Sequence, residues 1–264
     1  MKAVFIESLG VAAPGLAGWP QAVAVLRAEQ PYVAEELPLY QPGLLPPNER
    51  RRATPAVRLA FRVAEEAVAG ASMPAAELAG VFATSEADTS ILHRICSVLT
   101  ESSRAVSPTD FHNSVHNAAA GYWSIAANAK LPSVTLAAYD ASFVAGLLEA
   151  IALAHGEHYR VLLNTYDIRP PAPLFDGRPI LVSAGVALIL TVDRSDRSLA
   201  RLTLRATTGA PESRMRDGAL ETLRLANPAM RALPLLQSIA CRQAADVVLA
   251  GVEGQHWMAR IEPL

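Results

Sequence analysis

Asp140 lies in the stretch LAAYDASFVAG, between a short apolar run and a long one rich in alanine and leucine. A polar side chain at a strand-to-helix elbow, on the positive end of a buried helix, is where several α/β enzymes keep a nucleophile. Here the elbow carries an acid. A carboxylate on a pocket floor is one reading; an N-cap for the following helix is the other and the one adopted, because capping alone accounts for an aspartate at this place. His112 and His116 are four residues apart, a spacing that on one helical face permits a metal site. With no third ligand nearby they are read as hydrogen-bonded core or interface histidines, and no metal is expected. Ser114 and Ser142 each lie near a histidine or aspartate, but no G-x-S-x-G elbow accompanies them. Neither G-x-G-x-x-G nor G-K-[ST] occurs, so no nucleotide cofactor is expected. His155 and His158 follow the central helix and suit surface or capping roles. Arg50, Arg51 and Arg52 form a basic triplet whose plain reading is a solvated loop beside a helix.

The elements that must position these groups are legible from pattern. Asn117 to Asn128 is alanine-rich with apolar residues all round, which predicts a helix packed on every face. Pro132 breaks it, Val134 to Ala138 reads as a short buried strand, and Ala141 to Ala154 as a helix in the centre of the fold. Upstream, Lys2 to Ile6 reads as a strand, Gly10 to Pro20 as a loop, and Gln21 to Glu29 as a helix. Pro31 to Pro47 is a proline-rich loop, and Thr54 with Pro55 opens an amphipathic helix to about Ala69. Leu78 to Thr84 is a strand ending in Ser85, Glu86 and Asp88, where open α/β sheets place ligands. Ile91 to Leu99 is a helix with Cys96 expected to be buried. Tyr159 to Asn164 and Pro179 to Val192 supply two more strands. Beyond them, Ala200 to Thr207 reads as a strand, Ala219 to Leu225 and Leu233 to Ala244 as helices, and Asp246 to Val252 with Trp257 to Ile261 as a closing hairpin.

Asn117, Gly121, Pro132, Ser133, Thr135 and the small-residue elbow resemble the N-terminal half of β-ketoacyl synthases, whose pattern there is P-S-x-T-V-x-T-A-C-S-S. The resemblance implies a thiolase-like α/β fold: one complete βαβαβαββ half in residues 1–195, and a short second half in 196–264 packed on the same core. That second part has about 65 residues, where a full one would need well over a hundred. On the family pattern Asp140 stands at the nucleophilic cysteine, and a carboxylate cannot form and pass on a thioester as a thiolate does. No counterpart of the family's H-G-T-G-T or K-x-x-x-G-H segments is present, so the nucleophile and both catalytic histidines are missing together.

The wording FHNSVHNAAAGYWSI with the short second half resembles most the short chain-length-factor-like subunit of bacterial aryl polyene clusters. The resemblance implies a subunit without a catalytic residue that pairs, through the Val134–Ala138 strand, with a cysteine-bearing β-ketoacyl synthase in fatty-acid- or polyketide-type chain elongation. Phe111, His112, Asn113, His116, Asn117, Tyr122, Trp123, Tyr139, Asp140 and Phe143 are its expected acyl-pocket or interface residues, with ordinary core packing as the alternative for each aromatic. Arg50, Arg51 and Arg52 are then the expected contacts for an acidic acyl carrier protein. A homodimer in isolation is compatible with the same pairing, and the sequence leaves it open. The competing reading is a standalone acyl-thioester decarboxylase or hydrolase with Asp140 as acid or base, assisted by Ser85, His112, His116 or Asn117.

Composition bounds both readings. Hydrophobic residues make up 51% of the 264 and charged residues 18%, an apolar balance that anticipates a surface covered by a partner. A net charge of −2 gives no basic footprint for nucleic acid. No apolar run is long enough to span a membrane and no charged leader precedes one, and the two cysteines belong to no motif, so a cytoplasmic protein with reduced thiols is expected.

Overall fold

A computed structural model describes residues 3–264. All of its strands join one sheet in the order β3-β2-β4-β5-β1-β6-β8-β7. The strands are β1 (Val4–Ala12), β2 (Leu78–Ala83), β3 (Ser133–Leu136), β4 (Arg160–Asp167), β5 (Ala184–Thr191), β6 (Ala200–Thr207), β7 (Ala245–Ala250) and β8 (His256–Pro263). The helices are α1 (Trp19–Leu26), α2 (Pro47–Arg52), α3 (Pro55–Ala71), α4 (Thr89–Leu99), α5 (Pro108–Asn113), α6 (Ala118–Ala127), α7 (Ser142–Glu157), α8 (Leu174–Gly177), α9 (Gly218–Ala226) and α10 (Leu233–Cys241). Apart from the four-residue α8 between β4 and β5, the element order through β5 is βαβαβαββ, as the sequence pattern predicts. β3, β2 and β4 run parallel, and every other pairing is antiparallel.

The sheet is covered on both faces, and the strand sequences show why. Every residue of β5 is buried, and neighbours alternate between two cores: Leu188 and Leu190 enter one, Ala187 and Ile189 the other. Leu163 and Leu162 of β4, and Val81 and Phe82 of β2, divide in the same way. A period of two on strands buried on both sides gives the continuous apolar runs that parallel and central strands need. One face packs on α3 and α6, the other on α7, α1 and α10. Because β1 pairs with both β5 and β6, residues 196–264 extend this same sheet rather than starting another.

α3 begins as its sequence predicts, with Thr54 Oγ1 accepting from Val57 N at 3.3 Å and Pro55 in the first turn. It crosses β1 so closely that a Cβ on Gly10 would lie 2.1 Å from Val63 O. That glycine therefore belongs to a strand, and β1 extends to Ala12 through an irregularity between Ile6 and Ser8, where the sequence suggests a loop from Gly10. The predicted start of this strand at Lys2 lies outside the described residues.

Three further expectations are corrected. α6 buries Ala119, Ala120, Tyr122 and Trp123 but leaves Gly121 and Ile125 exposed, because only one side of it meets α3 and the sheet. β3 is half exposed rather than buried, since it forms one edge of the sheet. Cys96 is exposed on α4, a helix that buries only Thr89 and Ile91.

Candidate functional site

The parallel strands β2, β3 and β4 end together, and their C-terminal loops carry the polar groups. After β3 the chain passes Ala137 and Ala138 into a turn over Tyr139–Ala141, with Tyr139 in the left-handed region at φ 52°, and α7 starts at Ser142. Ser142 supplies the local hydrogen bonds of the elbow: its Oγ accepts from Ala138 N at 3.1 Å and donates to Tyr139 O at 2.7 Å. α7 lies close to the sheet, because a Cβ on Gly146 would come within 2.9 Å of Ala83 Cβ and 2.8 Å of Leu163 Cδ1.

Asp140 does not cap this helix. The N-cap residue is Ala141, and no side chain bonds the first amides. Each carboxylate oxygen of Asp140 instead takes one guanidinium: Oδ1 lies 2.8 Å from Arg178 Nη1, and Oδ2 lies 3.5 Å from Arg231 Nη2. The physical reason is reach. The turn at Tyr139–Ala141 precedes the helix proper, so the carboxylate faces the loop after α8 and the 3₁₀ turn Pro228–Ala232 rather than the amides of α7.

The pair extends into a ladder of alternating charge. Arg178 Nε donates to Glu86 Oε1 at 3.2 Å, and Arg178 Nη2 reaches Ser85 Oγ at 3.3 Å. Its guanidinium also lies 3.6 Å from the centre of the Tyr139 ring, a cation–π contact. Arg231 Nη1 is 3.7 Å from Glu212 Oε1, which Arg224 Nη1 holds at 2.6 Å. Arg224, with a side chain only 2% exposed, forms a fork with both oxygens of Glu221 at 2.8 Å, and this holds the Glu221 carboxyl well below its ordinary range, at about 2. Neighbouring acids hold Arg178 and Arg224 above the ordinary arginine value despite their burial.

Asp167, the last residue of β4, anchors the floor. Its Oδ1 accepts from Thr84 Oγ1 at 2.9 Å, Ser85 N at 2.8 Å, Ser85 Oγ at 3.0 Å and Glu86 N at 3.3 Å. Its Oδ2 is buried without a partner. Burial pushes this carboxyl up to about 7 against the lowering effect of those hydrogen bonds. Ser85 and Glu86 thus bond within the protein, and Asp88 is the N-cap of α4, accepting from Ile91 N at 3.1 Å.

The other residues singled out from the sequence are dispersed. α5 ends at Asn113, so His112 and His116 do not share a helical face. His112 meets the Tyr122 ring edge-on at 6.1 Å, and His116 Nε2 is 3.2 Å from Thr84 O. No group of three or more metal-ligating side chains occurs among the described residues. Asn113 Nδ2 donates to Arg52 O and Thr109 O, while Asn117 is exposed. Tyr122 and Trp123 are buried beside α3, with Trp123 edge-on to Phe61 at 5.3 Å, and Phe143 is buried on the opposite face of the sheet. Phe111 and Tyr139 are exposed. Arg50 bonds Leu45 O at 2.8 Å, Arg51 bonds Asn48, and Arg52 lies 3.5 Å from Glu49. Only Tyr139 and Asp140, with Ser85 and Glu86, meet at the ladder. Arg178, Arg231 and Asp167 escape sequence reasoning; the sole signal for the arginines is that an acid at the elbow needs counter-charges from somewhere.

The architecture is a thiolase-like α/β fold of the kind found in ketosynthases. Residues 25–257 match the model of the β-ketoacyl synthase N-terminal domain, and the chain belongs to that family. Among solved structures it is similar to the ketosynthase ApeO in complex with its chain length factor ApeC from Xenorhabdus doucetiae, with a TM-score of 0.74, 22% identity, and coverage of 98% of this chain and 100% of that one. The ishigamide ketosynthase/chain length factor gives a TM-score of 0.77 at 13% identity, covering 99% of both chains. A type II polyketide synthase acyl-carrier protein in complex with its ketosynthase, AntDE:AntF, gives 0.77 at 11%, covering 100% and 99%. A search of curated proteins returns no significant match. No helix among the described residues is long and apolar enough to cross a membrane.

Proposed function

We propose that this chain is a non-catalytic, chain-length-factor-like subunit that pairs with a cysteine-bearing β-ketoacyl synthase during fatty-acid- or polyketide-type chain elongation of the aryl polyene kind. The pairing rests on one observation, the unequal treatment of the two sheet edges. At β7 the segment before α9 closes the ladder, with Ser213 N donating to Val248 O at 2.9 Å and Val248 N donating to Ser213 Oγ at 2.9 Å. β3 carries no such cover, and next to it stand Ile125 on α6 and the exposed Tyr139. Elsewhere, α4 and α5 carry Leu92, Leu99 and Phe111, further large apolar side chains open to solvent. An uncovered edge strand flanked by apolar surface is a site for strand addition.

The non-catalytic reading is supported by Asp140, which has no thiolate chemistry and whose two oxygens each face an arginine. That arrangement also disfavours a standalone decarboxylase or hydrolase, which needs Asp140 free to exchange a proton. Phe111 and Tyr139 are the exposed aromatics expected to meet the partner or close its acyl tunnel, and Arg50–Arg52 the contacts for an acyl carrier protein. Residues 196–264 act as the short second half, and the assembly works in the cytoplasm; the same edge is open to a second copy of this chain when the partner is missing.

The test is a pull-down of tagged protein from cells that also express the ketosynthase, read by intact mass and stoichiometry. Pro132 O and Leu136 O accept from β2, so the amide of Thr135 points to the open edge. Thr135→Pro is therefore expected to leave the melting temperature nearly unchanged and to cut one-to-one recovery of a cysteine-bearing synthase at least tenfold. Undiminished recovery with Thr135→Pro would refute pairing through β3. A clean homodimer that hydrolyses or decarboxylates acyl thioesters, and loses this on Asp140→Asn, would replace the proposal by the enzyme reading.

A further inference from the structure

Arg178 and Arg231 come from separate loops, yet their guanidinium groups converge on a single carboxylate, one on each oxygen. The two arginine side chains are 13% and 19% exposed, while the aspartate between them is 47% exposed. The host groups are therefore deeper than the guest, as in a receptor with its ligand at the mouth. Each arginine is also held from behind. Glu86, Ser85 and the Tyr139 ring contact Arg178, and Glu212 lies 3.7 Å from Arg231. Each arginine thus has at least one acidic partner besides Asp140. Arg231 Nε is buried and has no partner, a spare donor on the clamp. Planar guanidinium groups that keep their position while the anion is removed are preorganised for another carboxylate.

We propose that Arg178 and Arg231 form a carboxylate-binding clamp that Asp140 fills from within the chain, and that a free carboxylate of formate or acetate size takes the same seat when the Asp140 side chain is withdrawn. The site at the end of β3 is then an anion seat occupied from within the chain. Its occupant sits on a turn whose preceding residue, Tyr139, is left-handed at φ 52°, a conformation that costs a non-glycine residue energy and that the ion pairs help to hold. The clamp requires no partner, since all of its groups belong to this chain, so its test is separate from that of the pairing.

The experiment titrates Asp140→Gly with sodium formate against sodium chloride at matched ionic strength, following the melting temperature. A saturable rise of several degrees with formate is expected in Asp140→Gly, with none in the unsubstituted protein, and an apparent Kd at least tenfold weaker when Arg178→Gln is added. Asp140→Ser serves as the second variant. If either variant is unfolded in chloride, recovery of folded protein in formate supports the clamp, and no recovery with both overturns it. An equal formate response in the variant and the unsubstituted protein, or rescue that survives Arg178→Gln, overturns it as well.

Discussion

Asp167 makes stability depend on pH in an unusual direction. Most buried carboxylates are held low by cations, but this one is fully buried, receives only neutral donors on Oδ1 and leaves Oδ2 unpartnered. Raising a carboxyl from 3.8 to about 7 makes its ionised form about 4 kcal/mol less favourable in the folded chain, at about 1.4 kcal/mol per decade. Between those two pH values the folded state binds more protons than the unfolded one, so stability falls as pH rises through this window and levels off above it. Asp167→Asn keeps an acceptor for Thr84, Ser85 and Glu86 and cannot ionise. It is expected to match the unsubstituted protein near pH 4 and to exceed it by up to about 4 kcal/mol at pH 8. Urea unfolding at fixed protein concentration across pH 4 to 8 measures both chains, and the difference curve isolates Asp167 from every other titrating group. A flat difference curve would show that Asp167 ionises at its ordinary pKa and would refute the account of its burial.

Two other substitutions probe the supports of the site. Arg224→Gln leaves Glu212 and Glu221 without their buried partner; a loss of about 3 kcal/mol or more is expected in the same unfolding assay. Glu221 is held low at about 2, so it contributes stability above its ordinary pKa that is lost as pH falls toward 2. The acid limb of the profile should therefore flatten in that variant, and an unchanged limb would count against the fork. Gly146→Ala places a methyl 2.9 Å from Ala83 Cβ and is expected to cost about 1–3 kcal/mol by lifting α7 from the sheet; a neutral result would mean that α7 packs less closely than described.

The sequence carried the fold where the signal was local. Thr54 and Pro55 announce α3, β6 alternates and begins and ends at the residues predicted, and Pro132 separates α6 from β3. It misled where a local rule met a tertiary constraint. Asp140 has an N-cap's composition, yet the turn at Tyr139 carries its carboxylate away from the amides of α7. Gly10 and the prolines after it look like a loop, yet Gly10 is required because α3 crosses β1 there. Arg178, Arg231 and Asp167 had no pattern to betray them, because they meet only when β4, the loop after α8 and the turn before α10 reach the same end of the sheet.

On the alignment that the family resemblance implies, with Asp140 at the nucleophile position, the acid at the elbow and the two arginines are one physical change. A thiolate at a strand-to-helix elbow is stabilised by the helix amides and requires the space before it to stay open for a substrate. A carboxylate in the same place, on a turn that points it away from those amides, has lost that source of positive potential and must find another. Arg178 and Arg231 supply it, and because guanidinium groups are bulky and must themselves be neutralised, Glu86 and Glu212 follow. The result fills the space before the elbow with paired charge, and Tyr139 and Asp140, the third and fourth residues beyond the end of β3, are its most exposed members. The charge ladder at this elbow therefore stands beside the surface through which the proposed partner is joined.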